Sequence, residues 1–199
     1  MLQLITAPTA EPVTLAEARA HLKDPDVSDD PMIVAMITAA RQRAEAETGR
    51  QLMSATWDLH LDAFPVEDVI VLPRPPLQSV THVKYYDDDG VQQTLSSALY
   101  HVDTVSEPAR IVLVDGQDWP DTEERPNAVT VRFVAGYQDA YDVPAASATT
   151  VPAAIRQWIL LQVGAIYENR QAADGGAMAA TAVLPFVDAL LDPYRLYSV

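Results

Sequence analysis

The sequence predicts an α+β protein: a small helical bundle with an inserted antiparallel β-sandwich or barrel-like domain and a C-terminal arm. Three observations predict it. Apolar residues recur at helical spacing near both ends of the chain, while from Ala55 onward the period changes to two. The stretch PAAIRQWILLQVGAIYENR at 152–170 is apolar around most of a helical circumference and must be covered on most sides. The first helices alone have too little apolar surface to fold unaided, so the late helix has to return to cover them. The expected organisation is N-terminal bundle helices at 1–54, an inserted β domain at 55–137, a loop at 138–151, the central helix at 152–171, and a linker with the C-terminal arm at 172–199.

The first helix is announced by its cap. Thr14 and Glu17 have capping-box spacing, Val13 and Ala18 fit a hydrophobic staple, and Leu15, Ala18 and Leu22 form a short apolar stripe ending near Lys23. Asp30 and Pro31 read as a capping residue followed by proline at the first helical position, opening a second helix that Gly49 stops. Ile33, Ile37, Ala40 and Ala44 lie along one face, where the alanines admit a neighbouring helix closely. Arg41, Arg43, Glu45 and Glu47 read as a solvated, mutually paired face.

In the β region Trp57, Leu59 and Leu61 alternate with Thr56, Asp58 and His60, one set buried and one wet. Further strands are expected at 69–72, 80–86, 91–95, 99–102, 110–114 and 128–134, separated by proline, glycine and aspartate turns. The stretch 136–151 is small and polar and suits a surface loop. In the central helix Ile155, Trp158, Ile159, Val163, Ile166 and Tyr167 recur at helical spacing, and Gly164 costs about 1 kcal/mol against alanine unless another backbone approaches there. After a linker, QAADGGAMAATA, the tail LPFVDALLDPYRLYSV carries Phe186, Val187, Leu190, Leu191, Tyr194, Leu196 and Tyr197. Two readings of this tail stand: it folds back on its own bundle, or it buries its aromatics in another subunit.

Composition narrows the function. With 199 residues, 49% hydrophobic and 21% charged, the chain has the balance of a folded protein, which excludes disorder throughout. Its 13 basic and 28 acidic side chains give a formal charge of −15, so a nucleic-acid backbone would be repelled rather than gripped. The absence of cysteine removes disulfides and thiolate metal sites and fits a reducing compartment. The start, MLQLITAPTAEP, lacks the basic and apolar regions of a signal peptide, and no run is long enough to span a bilayer, so a soluble, unsecreted protein is expected.

Chemistry is sparse. Asp87, Asp88, Asp89 and Gly90 resemble part of a calcium loop, but Ser96 stands where the bidentate glutamate belongs, so a hairpin turn is the preferred account. His21, His60, His82 and His101 show no short metal-binding spacing and read as satisfied surface histidines. Asp121, Glu123 and Glu124 read as a solvated loop with nothing apolar around them. No nucleophile elbow, phosphate loop or dinucleotide fingerprint occurs, so neither catalysis nor a cofactor is expected.

The segments VTLAEARAHLK, AARQRAEAETGRQL, TWDLHLDAFP, LPRPPLQSVTHVKYYDDDG, VRFVAGY, VPAAIRQWILLQVGAIYENR and LLDPYRLYSV, in this order and spacing, resemble the head-tail connector (adaptor) proteins of tailed phages and phage-like gene transfer agents. The resemblance covers nearly the whole chain, with 145–150 as an unmatched insertion. It implies a virion structural protein made in the bacterial cytoplasm and located in the particle neck. It implies a homo-oligomeric ring, a dodecamer in the family's pattern, below a portal protein and above a downstream neck or tail protein. DNA would pass through its channel without specific binding, and no membrane is involved. An acidic lining would let DNA slide, where a basic one would hold each phosphate in turn. The resemblance implies a portal-binding arm with Phe186, Leu190, Leu191, Tyr194 and Tyr197 as anchors. Ile37, Ala40, Ala44, Trp158 and Ile166 would supply the bundle and part of the contact between subunits. The alternatives are another neck or tail-completion protein, and a hydrolase or glycan-binding β module attached to helices.

Overall fold

Residues 1–23, 26–137, 150–169 and 185–196 are described by the structure, a computed structural model. They are α+β, with two antiparallel sheets that do not close into a barrel. The chain divides into two compact units, one built from Met1–Thr9 and Met53–Gln138, the other from Ala10–Leu52 and Asp139–Val199.

The first unit holds eight strands: β1 (Leu2–Thr6), β2 (Ala55–Leu61), β3 (Val69–Leu72), β4 (Leu77–Tyr86), β5 (Gln92–Thr94), β6 (Tyr100–Asp103), β7 (Ala109–Leu113) and β8 (Val129–Ala135). Five form a sheet in the order β1-β2-β8-β4-β5 and three form a second in the order β3-β7-β6. One apolar cluster joins them, with Leu59, Val83, Val131 and Phe133 from the larger sheet meeting Ile70, Leu72 and Ile111 from the smaller. Strand β8 shows why: Val129, Val131, Phe133 and Ala135 are buried in strict alternation with Thr130, Arg132 and Val134.

Two features of this unit differ from the sequence reading. LQLIT, to which no strand was assigned, pairs as β1 with β2, Leu2 opposite Leu59 and Leu4 opposite Trp57. Asp58, expected on a wet face, is 4% exposed, because Arg132 stands directly opposite in register and donates Nε and Nη2 to both carboxylate oxygens at 2.7 Å. The aspartate turn behaves as expected: Asp87 accepts from Gly90 N at 2.8 Å and, through its side chain, from Val91 N at 2.8 Å. Gly136 is obligatory for a different reason. Its φ is +119°, and a Cβ there would stand 2.4 Å from the Met53 carbonyl oxygen.

The second unit holds α1 (Leu15–His21), α2 (Asp30–Thr48), α3 (Ala153–Glu168) and the short α4 (Pro185–Asp188). The capping box forms, Glu17 N donating to Thr14 Oγ1 at 3.2 Å and Thr14 N to Glu17 Oε2 at 2.8 Å. Gly49 ends α2 in the left-handed conformation at φ 73°. Asp30 does not cap α2; it is the first helical residue, and its carboxylate accepts from Arg19 Nη1 at 2.7 Å. Asp29 precedes the helix and accepts instead from the Tyr167 hydroxyl at 2.5 Å. Among the described residues, what stands opposite Gly164 is not backbone but the His21 ring, with Nε2 3.3 Å from where a Cβ would be.

Candidate functional site

The helical unit is centred on the α2–α3 contact. Ile33, Ile37, Ala40 and Ala44 of α2 and Ile155, Trp158, Ile159 and Val163 of α3 are all buried. Of the residues expected to serve the bundle and a subunit contact, Ile37, Ala40, Ala44 and Trp158 therefore lie inside their own unit, while Ile166 is 39% exposed and Val34 on α2 is 45% exposed.

Beside this core runs a polar network that the sequence reading placed in solvent. Arg41 and Glu45 are 6% and 7% exposed. Arg41 donates Nε to Glu11 Oε2 at 2.7 Å and Nη1 to Glu45 Oε2 at 2.9 Å. The other Glu45 oxygen accepts from Gln51 Nε2 at 2.8 Å and from Leu52 N at 3.0 Å. Burial works against the Arg41 charge, but the hydrogen bond to Glu11 and the charges of Glu45 and Glu11 outweigh it and raise its pKa. Glu11 and Gln51 lie outside any helical period, so nothing in the α2 pattern alone points to them. Arg43 and Glu47 do form the surface pair expected, at 3.0 Å. A second anchor joins α3 to α1: Arg156 donates Nε to the Pro12 carbonyl at 3.0 Å and pairs with Glu17.

The described part of the C-terminal segment docks on this same unit. Val187 is 7% exposed and Leu191 fully buried. Trp158 Nε1 donates to Asp188 Oδ1 at 3.2 Å, Arg50 Nε to the Tyr194 carbonyl at 2.6 Å, Arg195 Nη2 to Glu47 Oε2 at 3.1 Å, and Leu196 N to the Thr48 carbonyl at 3.0 Å. Leu196 also packs where a Cβ on Gly49 would come within 3.4 Å of it. Among the expected anchors, Leu191 faces its own bundle and Leu190 and Tyr194 are half-buried. The Phe186 side chain and Tyr197 lie outside the described residues.

The four histidines have different surroundings. His60 meets Thr130 Oγ1 and Gln3 Oε1 at 3.1 and 3.2 Å, His21 covers Gly164, His82 stands opposite Arg132, and His101 is exposed on β6. Among the described residues no group of three His, Asp or Glu side chains could hold a metal ion, and no helix is long and apolar enough to cross a membrane. The loop with Asp121, Glu123 and Glu124 departs from expectation. These residues border a cleft with Phe64, Trp119 and Pro120, so apolar surface does adjoin them.

No family model matches the chain, and no curated protein does. Solved structures do. The chain is similar over its whole length to a chain in the neck of an empty gene transfer agent particle computed with sixfold cyclic symmetry, at 26% identity, 97% coverage of that chain and a TM-score of 0.77. It is similar to a chain in the neck of the native particle computed with twelvefold cyclic symmetry, at 26% identity, full coverage of this chain, 97% of that one and a TM-score of 0.73. A chain in the virion of a native gene transfer agent particle matches with the same coverage at 24% identity and a TM-score of 0.77, which speaks to fold alone. The resemblance to connector proteins of phage-like particles read from the ordered segments is thus matched by the fold from end to end.

Proposed function

We propose that this protein is a structural subunit of the neck of a phage-like particle, and more specifically an adaptor that forms a ring below the portal and joins the capsid to the tail. The observation that carries the reading is the whole-chain likeness to chains of gene transfer agent necks at 26% identity, with both units included. Physical chemistry supports it. Sixfold and twelvefold symmetry in those necks fits a repeated, head-to-tail contact that closes on itself. A charge of −15 suits a channel through which DNA slides. Ile166 and Val34, exposed on the helical unit, would meet the neighbouring subunit, whereas the other bundle residues hold the subunit itself together.

The C-terminal segment would reach the portal with Leu190 and Tyr194 from the exposed side of its docked form, and with Phe186 and Tyr197. Bringing Leu191 to the portal requires that the segment first leave its own bundle, where that side chain is buried. The test is genetic and direct. Particles made without this protein should accumulate as DNA-filled heads separate from tails, and adding purified protein should restore joining. Protein lacking residues 184–199 loses the cover of Leu191 and should melt lower, and at temperatures where circular dichroism shows it still folded it should fail to bind heads that carry the portal. Particles that join heads to tails without the protein would overturn the reading, and unchanged head binding by the truncated chain would overturn the arm.

A further inference from the structure

The β unit carries an open cleft of about 610 Å³ lined by Phe64, Trp119 and Pro120 together with the acidic side chains of its loops. Two of its lining residues, Phe64 and Trp119, are stacked, with ring centroids 4.8 Å apart and planes 5° from parallel. Tyr85 abuts Phe64 edge-on at 5.6 Å, and Trp119 Nε1 donates to the Glu67 carbonyl at 3.1 Å, so the platform is fixed from two sides. Asp88, Asp121, Glu123 and Glu124 border it. Glu123 is paired with Arg125 at 3.4 Å, but no cation among the described residues pairs with the other three carboxylates.

We propose that this cleft is a docking site for an arginine-bearing segment of a different protein. A guanidinium lies flat on an aromatic face and donates to carboxylates at the edge of that face at the same time, which an ammonium does less well. A cavity of this size accommodates one or two peptide side chains. The occupant is a different protein because the described part of this chain is poor in available cations. Among the described residues every arginine is already engaged with a carboxylate, a backbone carbonyl or an aromatic ring. The whole sequence has only two lysines, Lys23 and Lys84. A second copy therefore has little to offer an acidic cleft, and a basic partner is the complementary choice.

The experiment titrates the full-length protein with a capped tetra-arginine peptide, following tryptophan fluorescence and heat of binding at moderate salt. Saturable one-to-one binding is expected, with tetra-lysine several-fold weaker. The variant Asp121→Asn/Glu124→Gln should weaken binding at least tenfold, while Glu168→Gln/Asp192→Asn, which removes equal charge from the helical unit, should leave it within about twofold. Trp119→Leu should abolish the preference for arginine over lysine. Because that change touches the core, the carboxylate variant, whose melting temperature should match the parent, decides the matter independently. Absence of saturable binding, or equal weakening by the two charge variants, would overturn the proposal, since either places the attraction in net charge and not in the cleft.

Discussion

Replacing Glu45 by alanine tests whether the buried network holds the helical unit together. The carboxylate accepts from Arg41 Nη1, Gln51 Nε2 and Leu52 N, all within 3.0 Å. Breaking a buried pair costs about 3–5 kcal/mol when the remaining charge is left alone. Arg41 keeps Glu11 at 2.7 Å, so the guanidinium is not stranded and the Coulombic loss sits below that range. Withdrawing the acceptor from two further buried donors adds to it, and the net expectation is a loss of about 3 kcal/mol. For a chain of this length that corresponds to a fall in melting temperature of roughly 6–12 °C. The assay is thermal unfolding followed by far-ultraviolet circular dichroism, with Glu47→Ala in parallel. Glu47 pairs with Arg43, whose side chain is 55% exposed, and with Arg195, so its removal should cost about 1 kcal/mol or less. If the two variants melt within about 2 °C of each other, the network does not act as a buried unit and the reasoning fails.

Trp158 has no exposed surface, so Trp158→Ala should cost about 3–5 kcal/mol in chemical denaturation. Trp158→Phe retains most of the packing, loses the bond to Asp188 and should cost no more than about half as much. Gly136→Ala forces a side chain into the left-handed region against the Met53 carbonyl and should destabilise the β unit by at least about 2 kcal/mol. Gly116→Ala, with φ +75° but no atom of the described residues within 4 Å, should cost about 1 kcal/mol, as differential scanning calorimetry can resolve. Stability should also fall in acid in two stages. The His82 pKa is lowered by burial and then by the charges of Lys84 and Arg132, so the unfolded chain takes up the proton first. That contribution is complete above about pH 6.5 and is lost as the pH drops below it. Asp58 is held below the usual carboxylate range by its hydrogen bond from Arg132, so its contribution persists above about pH 3.9 and disappears as the pH falls through the lower folded-state value. His82→Gln should flatten the melting-temperature profile between about pH 5 and 7, and a profile superimposable on the parent's would refute the upper stage.

What was legible in the sequence is what local chemistry dictates. Thr14 with Glu17, Gly49 after α2, the strand expected at 128–134 and the Asp87–Gly90 turn each depend on a few neighbouring residues, and each formed, the strand as Val129–Ala135. Features set by distant partners were less legible. LQLIT has a strand's composition, but only pairing with β2, some fifty residues later, makes it one. Arg41 and Glu45 have the spacing of a surface pair, and what buries them is Glu11 before the helix and Gln51 after it. Asp58 likewise reads as solvated until Arg132 is placed across from it. The C-terminal segment shows the limit most clearly. Its apolar content called for a partner surface, and the choice between its own bundle and another protein lay in contacts such as Arg50 with the Tyr194 carbonyl, which link residues far apart in the chain. The cleft on the β unit was missed because Phe64 and Trp119 are single aromatics in loops, and their stacking follows from topology rather than from any local period.

Each unit is assembled from two separated stretches of the chain, and this has a cost during synthesis. When α2 leaves the ribosome, roughly a hundred residues still precede α3, which at about 5–20 residues per second is a delay of several seconds. Throughout that interval the face bearing Ile33, Ile37 and Ala44 has no α3 to cover it. β1 waits in the same way for β2 and then β8. Nascent chains on one messenger stand close together in that state, so the same greasy faces invite premature association, and holding chaperones should raise the yield of soluble subunits more than they would for a protein whose domains follow one another along the chain.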